Sequence, residues 1–127
     1  MQEKHLYEYA IVRVVPRVER DEFINVGVVL YCQKLKFLKM RYQLVPERLH
    51  AFPVHPAIAE LEPYLLAFQK ICSGLPDAGP IATLDAGSRF RWLTAQRSTI
   101  VQTSRVHPGL TENPEMELDR LFQLLVS

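Results

Sequence analysis

The chain has 127 residues, 48% hydrophobic and 23% charged, with a formal net charge of +1. That is an ordinary balance for one globular domain, residues 1–127, and it excludes bulk attraction to nucleic acid, which would need a local basic patch. Cys32 and Cys72 match no metal-ligand spacing, the N-terminus lacks a signal pattern and no apolar run approaches a membrane span; the expectation is a soluble cytoplasmic protein with reduced thiols, no metal and no cofactor.

Residues 6–15, LYEYAIVRVV, are rich in β-branched and aromatic side chains and end at Pro16, as a strand does. The polar RVERD loop leads to a second strand, FINVGVVLYC, which Asn25 and Gly27 interrupt although strands use both sparingly. QKL, a poor turn by composition, connects to a third strand, KFLKMRYQLV, stopped by Pro46. Three consecutive strands with short links form an antiparallel meander. PERLHAF suits one short helical turn. In HPAIAELEPYLLAFQKICSG, Ile58, Leu61, Leu65, Phe68 and Cys72 recur at steps of three and four and mark one helical face. Gly74 is its stop, and Pro63 either kinks it or begins a second helix. LPDAGPIATLDAG reads as loop, SRFRWLTA as a short helix or a strand, and STIVQTS as a fourth strand. Near the end Asn113 suits a cap, Pro114 a first turn, and Glu115 and Glu117 the positive end of the dipole. Leu118, Leu121, Phe122 and Leu125 then form an apolar stripe. Strands followed by helices make the class α+β: an antiparallel β-meander sheet with helices packed on one face.

Alternation divides each strand into two sets of side chains, and a one-residue slip would exchange them. The parity that matches the apolar sets puts Val12 and Val14 with Ile24 and Val26, Arg13 beside Asn25, and Ile11 beside Gly27. One face is then dry: Val12, Val14, Ile24, Val26, Val28, Leu30, Leu38 and Met40, under Leu61, Leu65, Phe68, Leu118, Leu121 and Phe122. The other carries Arg13, Asn25, Gly27, Lys39 and Arg41, framed by Tyr7, Tyr9 and Tyr31, with Gly27 as a flat spot between cations. This face is either an ordinary solvated sheet face or a binding surface.

The four histidines form no metal pattern; His50 and His55, with Pro53 between them, do not stack on a helix. No nucleophile-elbow, zinc-protease or phosphate-loop motif occurs. Glu19, Asp21 and Glu22 lie beside Arg17 and Arg20, and Glu22 falls at the border of the dry face. The stretch AQRSTIVQTSRVHPG is dense in donors: Arg97, Ser98, Thr99, Gln102, Thr103, Ser104, Arg105 and His107. Arginine with hydroxyls is phosphate-holding chemistry; an edge strand defended by polar residues has the same composition.

Together YEYAIVRVVP, RDEFINVGVVLY, FRWLTAQRSTIVQTSRVHPGL and NPEMELDRLF resemble the bacterial domain-of-unknown-function family 3037 over most of the chain. Glu22, Asn25, Val26, Gly27 and Val28 match its acidic residue and N-V-G-V run. Leu93, Thr94, Arg97 and Ser98 match its L-T-x-x-R-S segment, and His107, Gly109 and Leu110 its H-x-G-L segment. The resemblance implies no known chemistry. It implies a setting beside HipA-type kinases, and hence a partner or accessory role.

Three readings follow, in order. The first is a small accessory domain whose polar face, with Arg13, Glu22, Asn25, Gly27, Arg41, Arg97, Ser98 and His107, engages a protein partner or a phosphate-bearing ligand. The second is an enzyme acting on a phosphate ester or nucleic acid through Arg13, Glu22, Arg97 and His107. The third is a subunit that homodimerises by a sheet edge. None involves a membrane.

Overall fold

The computed structural model describes residues 3–53 and 56–127; the His50–His55 spacing therefore falls partly outside the described residues. The class is α+β, with an antiparallel open sheet of five strands. β1 (His5–Val14) pairs with β2 (Ile24–Cys32), and β2 with β3 (Phe37–Tyr42). The meander expected from the sequence is thus present. QKLK closes its second turn through Lys36, which adopts φ 52 and donates its N–H to the Gln33 carbonyl at 3.1 Å. On its other side β1 is flanked by two short strands in line, β4 (Val101–Thr103) and β5 (His107–Thr111), where the sequence indicated only the first.

The short helix α1 (Pro46–His50) follows β3. Helix α2 (Ile58–Ser73) runs through Pro63 as one element and ends at Gly74, whose φ of 67 suits a residue without Cβ. SRFRWLTA resolves as helix α3 (Ala86–Leu93). In α4 (Pro114–Leu125) the Asn113 side chain caps by accepting from the Met116 N–H at 3.2 Å.

The sheet register departs from simple parity at one place. Val14 faces Ile24 and Arg13 faces Asn25, but Val12 faces Gly27 and Ile11 faces Val28. Val26 is the extra residue of a β-bulge, and its carbonyl accepts from the Gln43 N–H at 2.7 Å. Beyond the bulge every β2 side chain exchanges faces, so the expected dry set divides. Val12, Val14, Val26 and Met40 join Leu61, Leu65, Phe68, Phe90 and Leu93 in a core under α2 and α3. Val28, Leu30 and Cys32 join Leu118, Leu121 and Phe122 in a second core under α4. The helices therefore cover both faces, a correction to the single covered face expected from the sequence. Arg13, Lys39 and Arg41 make that face look solvated in the sequence, yet the bulge supplies it with Val28 and Leu30. Both cysteines are buried and unpaired, and the sheet separates Cys72 of the first core from Cys32 of the second.

Candidate functional site

The β4–β5 edge is interrupted at Ser104–Val106. There the buried Ser104, 7% exposed, replaces the missing ladder: its N–H donates to the Ile11 carbonyl at 2.8 Å and its Oγ accepts from the Ile11 N–H at 2.8 Å. The same hydroxyl donates to the Arg105 carbonyl at 2.9 Å. This local departure opens a cleft of about 520 Å³ lined by Arg13, Gln96, Arg97, Gln102, Thr103, Ser104, Arg105 and His107.

Each cation reaches the cleft by a different route. Arg13 projects from β1 beside its cross-strand neighbour Gln102, with its guanidinium 3.9 Å from the centre of the Phe23 ring. Burial lowers its pKa, opposed by the charge of Asp21; the group stays protonated. Its Nε and the Thr103 Oγ1 are shielded from solvent, with no hydrogen-bond partner among the described residues. Arg97 is anchored by α3, donating from Nη1 to the Leu93 carbonyl at 2.9 Å and from Nη2 to the Trp92 carbonyl at 2.6 Å. It thus satisfies helix C-terminal carbonyls and stacks 4.5 Å from the Trp92 ring centre, and burial lowers its pKa too. The His107 ring lies 5.3 Å from that of Tyr9. Arg105 is exposed, and among the described residues no hydrogen bond or ion pair ties its side chain. Among the described residues no carboxylate lines the cleft.

Of the eight residues assigned to the polar face, the fold brings Arg13, Arg97 and His107 together, joined by Gln102, Thr103, Ser104 and Arg105 of the donor-rich stretch. The other five lie elsewhere. Glu22 pairs with Arg20 in the loop before β2. Asn25 donates to the Leu125 carbonyl at 3.2 Å, and Arg41 pairs with Asp119 at 2.7 Å while covering the Phe122 ring at 4.3 Å. The polar face over β2 and β3 is therefore occupied by α4. Gly27 is buried on the opposite face, and a Cβ there would lie 2.7 Å from the Arg41 carbonyl oxygen and 2.9 Å from the Tyr42 Cβ. Its small size admits a neighbouring strand, so there is no flat spot for a ligand. Ser98 lines a separate groove. Gln96 is the addition, and no sequence signal marks it. The stretch that supplies Arg97 and Arg105 is free of carboxylates: between Asp85 and Glu112 the chain carries Arg89, Arg91, Arg97 and Arg105.

The fold and cleft describe an α+β protein with a cationic sheet edge. The chain belongs to the family described as "Protein of unknown function (DUF3037)", whose model matches residues 9–126. No curated protein and no solved structure matches it. Among the described residues no helix is long and apolar enough to cross a membrane, and no three His, Cys, Asp or Glu side chains are grouped to hold a metal.

Proposed function

We propose that this protein is a binding module whose edge cleft holds an anionic group, carried by a protein partner or a phosphate-bearing ligand. The supporting observation is the convergence of Arg13, Arg97, Arg105 and His107 with neutral donors in an open cleft lined by no carboxylate. Charge-assisted hydrogen bonds from such a set are among the stronger polar contacts. Among the described residues the lining offers one imidazole and neither carboxylate nor thiol, and Glu22 stands outside it. A complementary acid and base are not both present, which favours binding over hydrolysis. The family resemblance makes a HipA-type kinase the first partner to test.

Pyrophosphate, titrated at low ionic strength and followed by amide and arginine side-chain resonances, tests the reading. Gln102, Thr103, Arg105 and His107 should shift together, and Arg105→Ala should weaken binding by about 1.5–3 kcal/mol. Resonances of these residues that stay unmoved would overturn it.

A further inference from the structure

β4 ends the strand order, so its outer edge pairs with no other strand among the described residues. The inner ladder fixes which backbone groups face outward. Val15 donates to the Ile100 carbonyl at 2.7 Å and Ser104 to the Ile11 carbonyl at 2.8 Å. Alternation therefore turns the polar groups of Ile100, Gln102 and Ser104 toward β1 and those of Val101 and Thr103 away from it. The Val101 carbonyl is taken by the Thr99 hydroxyl at 2.8 Å. Among the described residues nothing else takes the Val101 N–H or either Thr103 group, which lie along the open edge.

A cavity lies to either side of this strand. One is the cationic cleft. The other is an apolar groove of about 440 Å³ whose lining includes Val18, Tyr64, Phe68, Ile100 and Val101. Its rim is uncovered: Val18 is 45% exposed, Tyr64 56% and Ile100 38%. Arg97 lines both cavities. Val101 faces the α2 side, whereas Gln102 shares the Arg13 side.

Resting on the anion-binding reading, we propose that β4 is extended by a strand from a partner protein, an acidic peptide segment that places a carboxylate in the cleft and an adjacent apolar side chain in the groove. Strand addition supplies affinity through main-chain bonds and specificity through pockets for alternate side chains, and successive side chains on a strand point to opposite faces. One strand thus accounts for both cavities and the open edge together. A small anion would use the cleft alone. A second copy pairing through β4 would set one cationic edge against another, a like-charge juxtaposition that disfavours it. Pro108, which lacks an N–H, limits the addition to the β4 part of the edge.

The test uses the full chain and a panel of amidated nonapeptides in which Glu alternates with Val, Ile or Phe. Controls carry Lys for Glu, or N-methyl groups along one edge of the peptide. Binding should shift the amides of Val101 and Thr103 and slow their exchange, and N-methylation should abolish it. Arg105→Glu should weaken the acidic peptides roughly tenfold or more and raise affinity for the Lys series; Arg105→Gln should show the first effect alone. If pyrophosphate shifts the cleft but no peptide moves Val101 and Thr103, strand addition is wrong and the anion reading stands. If neither probe moves the cleft, both fail. If the same amides shift with protein concentration alone, the edge takes a second copy and the proposal is overturned.

Discussion

At Gly27 and Gly109 a missing Cβ admits a neighbour. A side chain at Gly27 would strike the β3 backbone, 2.7 Å from the Arg41 oxygen. Gly27→Val should therefore destabilise by about 1–3 kcal/mol, the usual cost of overpacking, read as a lower denaturation midpoint. At Gly109 a Cβ would strike the Tyr7 ring, which crosses β5 to reach Glu117 on α4. Gly109→Ala should cost clearly less in a Tyr7→Ala background than in the parent, and additive costs would refute the contact. Tyr7 also predicts an alkaline limit. Burial first, then the hydrogen bond and charge of Glu117, push its phenol from 10.0 up to about 12. The folded state thus favours the neutral phenol. Its stabilisation is complete below pH 10 and is lost as pH rises from 10 to about 12. Tyr7→Phe should flatten stability across that window, measured by chemical denaturation at stepped pH.

Among the elements, α4 decides what the polar sheet face does. Its Leu118, Leu121 and Phe122 sit on Val28 and Leu30, while Lys39–Glu115 at 2.6 Å and Arg41–Asp119 at 2.7 Å fringe the contact. Apolar burial dominates, because exposed ion pairs contribute about 0–1 kcal/mol. Leu121, 3% exposed, should cost roughly 2–5 kcal/mol when truncated to Ala. Asp119→Ala should cost at most about 1 kcal/mol. Equal losses in thermal unfolding would mean that α4 is held by charge. In α3 the same economy of roles appears in Arg97, which satisfies the helix's last carbonyls and also walls the cleft.

For the molecule as a whole, net charge conceals the site. A chain of +1 concentrates cations and excludes carboxylates over one stretch, and folding gathers that stretch with Arg13. Anion binding should therefore weaken as salt rises, since exposed charges are screened over about 10 Å at 0.1 M. Pyrophosphate affinity unchanged between low and moderate salt would contradict the electrostatic basis of the cleft.

By itself the sequence determined the meander, helices α2 and α4 with their Gly74 stop and Asn113 cap, the α+β class and the donor-rich stretch that supplies most of the cleft; it left α3 open between helix and strand. Each rests on local physics: alternation, helical periodicity, capping and composition. Its division of the sheet into a dry and a wet face did not survive, because Val26 bulges and exchanges the faces along the rest of β2. Periodicity counts residues and cannot see which one is left unpaired. The placement of α4 and the burial of Gly27 follow from that one extra residue. The gathering of Arg13 with Arg97, Arg105 and His107, residues distant in sequence, was decided by tertiary structure, because it depends on β4 pairing with β1 and on Ser104 holding open the gap before β5.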